Sequence, residues 1–247
     1  MVKSFTGYPG RLRGTVGDAL GTPDASGYDL GRELLKWVAI VTMTADHVGV
    51  VLYPEVAAYR IVGRMAFPLF AYLLVLGMES TGNMRGYLSR LLIFAAVSQI
   101  PFSLVNGVEP WGKLDIFFTL ALGLIMIHLI ERGSVAFVVP LVASVVVPVD
   151  YGAYGVATVL FFYLLRRNRV TGAGLFVLIN LLLLVTESWY QPYAMLALPL
   201  ILLHDAGRYP FNGVGGQARN SLFRKYFFYA YYPLHLMVLW GLKTFIL

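Results

Sequence analysis

The stretch Leu34-Leu35-Lys36-Trp37-Val38-Ala39-Ile40-Val41-Thr42-Met43-Thr44-Ala45-Asp46-His47-Val48-Gly49-Val50-Val51-Leu52-Tyr53-Pro54 decides the fold class. It supplies about twenty mostly apolar residues, the length a helix needs to cross the hydrocarbon core of a bilayer. Its side chains do not alternate in polarity, as the strands of a membrane barrel must. Near its far end sit Asp46 and His47. A carboxylate and an imidazole are costly in hydrocarbon and mark either an interior partner or a functional site.

The rest of the chain has the same character. Of its 247 residues, 58% are hydrophobic and only 13% charged, and the mean hydropathy is +0.71. Charged residues make up about a quarter of an ordinary soluble domain. The expectation is an all-α, polytopic transmembrane bundle, because helices satisfy their own backbone within each segment. The chain has no cysteine, which excludes thiol nucleophiles and thiolate metal ligands. The net charge of +6 reads as basic cytoplasmic loops and not as nucleic-acid binding. Residues 1–33 are rich in Gly, Pro and small polar residues and carry no apolar signal-peptide core, so they read as a flexible cytoplasmic arm. Residues 34–247 form the membrane domain.

Nine apolar stretches can be drawn, at about 34–53, 61–78, 87–105, 114–131, 135–149, 152–165, 173–187, 193–204 and 227–246. Counting basic residues orients them. With the N-terminus cytoplasmic, fifteen of the nineteen Lys and Arg fall on the cytoplasmic side. Merging the fifth and sixth stretches gives an eight-span alternative, which moves the Arg166–Arg169 loop to the outside. No internal repeat is visible.

Depth then gathers the polar residues. His47 lies 13 residues into the first span, roughly 20 Å from its cytoplasmic start. Arg60 and Arg64 open the second span from the outer side, four residues apart on one helical face. Gln99 ends the third span and Asp115 begins the fourth on that same side, and Asp150 and Tyr151 fall in an outer connection. His235 lies near mid-depth in the last span. These residues are expected to converge on one outward-leaning cavity, with Arg60, Gln99, Asp150 and Tyr151 as candidate substrate-binding groups. Each has a plainer reading. Asp46 reads equally as an interior salt-bridge partner, Arg60 as an interfacial anchor, Asp115 as a helix cap, and His235 as a satisfied core histidine. Most Tyr and Phe read as an interfacial belt. His47 resists the plain reading best. Adjacent helical residues point about 100° apart, so Asp46 is a partner for Arg64 before it is an orienter of His47. Asp115 is the candidate orienter from another span. No metal site is expected, because no histidine pair has ligand spacing.

Several segments taken in order resemble one family. They are Leu35-Lys36-Trp37-Val38 with Asp46-His47-Val48-Gly49, Tyr59-Arg60-Ile61-Val62-Gly63-Arg64-Met65-Ala66-Phe67-Pro68, Ser98-Gln99-Ile100-Pro101-Phe102, Asp150-Tyr151-Gly152-Ala153-Tyr154-Gly155 and Tyr231-Tyr232-Pro233-Leu234-His235. The ordered set, from about 34 to 242, resembles the TraX family, named for a protein that acetylates the N-terminus of conjugative pilin in the bacterial inner membrane. The resemblance implies a multi-pass acetyltransferase of the cell membrane that uses acetyl-CoA. The acceptor would be a membrane-embedded or extracytoplasmic pilin-like protein or a glycan, modified on an amine or a hydroxyl. Arg85, Arg90, Arg224 and Lys225, with Arg166, Arg167 and Arg169, are the candidates for holding CoA phosphates. His47 is the candidate general base or transient acyl carrier, with His235 second. Asp46 or Asp115 would stabilise its imidazolium, and Arg64 an oxyanion. A proton-coupled transporter and a non-catalytic pilus or envelope assembly factor are the competing classes.

Overall fold

The computed structural model describes residues 29–184, 189–207 and 222–245, with side chains in the last segment from residue 226. Most of the expected arm, Glu187, and the Arg208, Arg219, Arg224 and Lys225 side chains lie outside that description. Among the described residues the chain is helical, without a strand. The helices are α1 (Leu30–Val51), α2 (Ala57–Gly63), α3 (Ala66–Ser80), α4 (Met84–Asn106), α5 (Ile116–Glu131), α6 (Val138–Val146), α7 (Gly152–Arg167), α8 (Arg169–Leu183), α9 (Leu198–Asp205) and α10 (Leu222–Phe245). Three stretches, Leu30–Val51, Ala57–Ser80 and Met84–Asn106, are long and apolar enough to cross a membrane.

Local chemistry explains the breaks. α1 begins four residues earlier than the apolar pattern suggests, because the Asp29 carboxylate accepts the Arg32 N–H at 2.8 Å and caps it. His204, at the end of α9, bonds the same carboxylate at 3.1 Å and holds its pKa below the usual carboxylate range. The stretch 57–80 is not one helix. Pro68 has no N–H to offer the Arg64 carbonyl, and the chain breaks after Gly63 into α2 and α3. Arg64 thus sits at the C-cap of α2. α6 and α7 are separate helices joined through 147–151. In that turn Leu114 N donates to Pro148 O and Asp150 N to Leu114 O, both at 2.8 Å. Tyr151 adopts a positive φ of 60°, uncommon for a residue with a Cβ.

Polar contacts gather at the two ends of the bundle. At one end Arg166 bridges Glu79 at 2.9 Å and Asp205 at 2.6 Å, Arg169 pairs with Asp205, and Arg167 with Glu131. Arg166, Arg167 and Arg169 are thus tied to carboxylates of other helices. At the other end the Gln99 amide donates to Lys113 O at 2.7 Å and accepts from Asp115 N at 3.0 Å. Lys113 pairs with Asp150 at 2.8 Å.

Tyrosines are not confined to a belt. Tyr72, Tyr87 and Tyr232 are buried, and aromatic rings fill much of the interior. Where rings are absent, backbones approach closely. A Cβ on Gly172 in α8 would overlap the backbone of Leu165 in α7. Gly172→Ala is therefore expected to destabilise the protein by about 1–3 kcal/mol, the range for overpacking. Thermal unfolding in detergent or nanodiscs would measure it, and an unchanged midpoint would show that α7 and α8 are not in this contact.

Candidate functional site

The Asp46 carboxylate lies three quarters of the way along α1 and is buried. Arg60 Nη1 donates to its Oδ1 at 2.8 Å, and Arg64 Nη2 reaches Oδ1 at 2.9 Å and Oδ2 at 2.7 Å. Two guanidiniums from the next helix and its cap therefore share one carboxylate. Their spacing of four residues puts both on the face that meets α1. Gly63 makes the approach possible, because a Cβ there would overlap the Asp46 side chain. As the plain reading of the sequence allowed, Asp46 serves as partner to both arginines and makes no bond to His47.

His47 finds a different partner. Its Nδ1 lies 2.7 Å from Nε2 of His235 in α10, with the ring centres 4.9 Å apart. His235 Nδ1 lies 2.9 Å from the Tyr231 carbonyl oxygen. The Tyr231 hydroxyl bonds Thr44 at 2.8 Å, one turn before His47 on α1. Asp115 does not orient this ring. Its carboxylate accepts the Phe117 N–H at 2.9 Å and caps α5, and its Oδ2 is buried without a hydrogen-bond partner among the described residues.

Both ends meet in one cavity of about 310 Å³. Asp46, His47, Asp150, Tyr151 and Tyr232 line it at one end and Arg32, Lys36, Thr81 and Arg90 at the other, with Phe67, Phe70, Leu74, Phe117 and Leu120 between them. Arg32 and His47 both lie on α1, 15 residues apart, so the cavity extends about 22 Å along that helix. At the basic end, Nε of Arg32 and of Arg90 is buried without a hydrogen-bond partner among the described residues. The Arg32 Nη1 donates to Ser80 at 3.0 Å, and Lys36 pairs with Glu33 at 2.7 Å. At the other end the strained Tyr151 stacks on Phe67, ring centres 4.3 Å apart.

The family model for the TraX protein matches residues 31–243. The chain belongs to the TraX family. It is 28% identical over 241 residues to the "Probable fimbrial assembly protein FimC, serogroup H1" of Dichelobacter nodosus, covering 88% of this chain and 98% of that protein. It is 32% identical over 91 residues to the Protein TraX of Escherichia coli K12, covering 36% of each. An uncharacterized protein of Rickettsia prowazekii is 27% identical over 106 residues, covering 43% of this chain and 40% of that one. No solved structure matches significantly.

In this TraX family chain, Asp46, His47, Asp150, Tyr151 and Arg90 of the sequence candidates reach the cavity wall. Arg60 and Arg64 stand behind Asp46, His235 stands behind His47, and Gln99 is engaged in the turn before α5. Arg85 is exposed. The sequence reading passed over Arg32, Lys36 and Tyr232. Arg32, Lys36, Met43 and His47 recur at spacings of four and seven on one helical face, and that pattern was available.

Removing either element of the clamp has a defined cost. Asp46→Asn leaves two guanidiniums without a counter-charge, and a loss of about 3–5 kcal/mol is expected. Gly63→Ala forces the carboxylate aside and should lose about 1–3 kcal/mol. Thermal melts of both variants would check this. A Gly63→Ala protein as stable as wild type would disprove the close approach.

Proposed function

We propose that this chain is a multi-pass inner-membrane acyltransferase that moves an acetyl group from acetyl-CoA to an amine or hydroxyl of an envelope acceptor. The observation that carries the reading is the long cavity with arginines at one end and His47 at the other. With nine spans and a cytoplasmic N-terminus, the arginine end faces the cytoplasm, where acetyl-CoA is found. Arg32, Lys36 and Arg90 would hold the CoA phosphates, and the apolar middle would take the pantetheine arm. The thioester would then lie beside His47. The family name and that of the Dichelobacter relative favour a pilin-like acceptor, which would enter at the end formed by Asp150 and Tyr151.

The chemistry is acyl transfer assisted by a base. A neutral amine or a hydroxyl of the acceptor attacks the thioester carbonyl while His47 takes its proton. The C–S bond breaks, and His47 returns the proton to the departing CoA thiolate. Asp46 and its two arginines fix the position of His47 along α1 and take no proton themselves. Tyr232, whose ring centre lies 6.0 Å from that of His47, offers a phenol to the oxyanion.

His47→Ala should lower transfer of labelled acetyl groups from acetyl-CoA to envelope acceptors by at least about 100-fold. Combined Arg32→Ala and Arg90→Ala changes should raise the KM for acetyl-CoA with a smaller effect on kcat. Acetyl-CoA is expected to raise the unfolding temperature of the wild-type protein, and these changes should abolish that rise. Wild-type transfer by the His47→Ala protein would overturn the assignment. Assembly without chemistry, which the fimbrial relative's name also fits, predicts no acetyl label on any acceptor and no effect of acetyl-CoA.

A further inference from the structure

The hydrogen bonds around His235 have a direction. A backbone carbonyl only accepts, so the 2.9 Å contact between His235 Nδ1 and the Tyr231 oxygen requires a proton on Nδ1. In a neutral imidazole the other nitrogen is then a bare acceptor. His235 Nε2 is that acceptor, and it faces His47 Nδ1 at 2.7 Å. His47 Nδ1 must therefore carry the proton, which leaves His47 Nε2 bare. Neither ring contacts a carboxylate among the described residues, and two guanidiniums stand on the neighbouring Asp46, so nothing beside the pair favours an imidazolium. His47 lines the cavity, and no hydrogen bond to its Nε2 is formed among the described residues.

We infer that His235 is a positioning residue that holds His47 in the tautomer with an unprotonated Nε2 directed at the cavity. The proton order runs from His47 Nδ1–H to His235 Nε2, and from His235 Nδ1–H to the Tyr231 carbonyl. A free imidazole in water prefers its proton on Nε2, which would give a donor where a base is needed. His235 does the work that a carboxylate does in many hydrolases, but without bringing a negative charge into the membrane interior. The device also spans the fold. The Thr44–Tyr231 hydrogen bond sets the register of α10 against α1 one turn before the histidines meet. The Tyr231 ring stacks on His235 with centres 5.1 Å apart and 13° between planes. The meaning of this tautomer for catalysis rests on the acyl-transfer reading, whereas the tautomer itself does not.

The test is nitrogen-15 NMR of histidine-labelled full-length protein in nanodiscs, with the His47 signals identified by their loss in His47→Gln. In the wild type, Nδ1 of His47 is expected to be protonated and Nε2 to resonate as an unprotonated nitrogen. In His235→Leu the proton should move to Nε2. In His235→Gln, whose amide oxygen can accept from Nδ1–H, the wild-type pattern should persist. A wild-type His47 protonated on Nε2 overturns the proposal, as does an unchanged tautomer in His235→Leu. Acetyl transfer by the same variants separates the two readings. His235→Leu should lower kcat by at least about 100-fold with the KM for acetyl-CoA unchanged, and His235→Gln should recover most of it. If the NMR result holds and no transfer occurs in the wild type, the functional reading fails and the tautomer stands. If transfer depends on His47 but the tautomer is wrong, the positioning role of His235 fails alone.

Discussion

The pairing of Asp46 with Arg60 and Arg64 is the constraint on which the rest of the structure depends. An ionised carboxylate inside an apolar bundle is tolerable only when its oxygens are fully used, and here two guanidiniums occupy both. The pair fixes where α2 lies along α1. The second apolar stretch breaks just beyond these two arginines, which leaves Arg64 at the C-cap of α2. Pro68 and Gly63 are the two local choices that permit this, one by withholding a donor and the other by withholding a side chain. Because His47 follows Asp46 directly, anchoring one sets the height of the other.

The second organising feature is the segregation of charge. Ion pairs among Glu79, Glu131, Arg166, Arg167, Arg169 and Asp205 join helix ends on one side of the bundle, and the Gln99, Lys113 and Asp150 contacts join ends on the other. Between them the interior is apolar and aromatic. The cavity follows that plan, with cations at one end, rings in the middle and titratable groups at the far end. Arginines already paired to carboxylates at the bundle end are poor anion ligands. Among the described residues, Arg32 and Arg90 line the cavity instead, each with an Nε that makes no hydrogen bond there.

How much of this was legible in the sequence varies with the reach of the interaction. The Asp46 clamp could be read from depth and from the spacing of four between Arg60 and Arg64, because those are properties of single helices. The convergence of His47 and His235 was also legible as depth, but not their hydrogen bond, since nothing in a one-dimensional pattern ties residue 47 to residue 235. Asp115 was a reasonable orienter by depth and turned out to be a helix cap, a role that depends only on its place before Ile116. Arg166 and Arg169 were read as loop cations and candidate phosphate ligands; their carboxylate partner Asp205 lies 36 or more residues away. The Tyr151 strain and the Gln99 clasp arise from the meeting of three helix ends and had no local signal.

The two histidines are separated by 188 positions, on the first and the last described helices. A ribosome would therefore add 188 residues after His47 before the second imidazole is available. Partly synthesised or prematurely terminated chains would have the Asp46 clamp and most of the cavity, but an unpaired His47. The clamp on α1 thus needs only the first helices, whereas the His47–His235 hydrogen bond waits for α10 to pack.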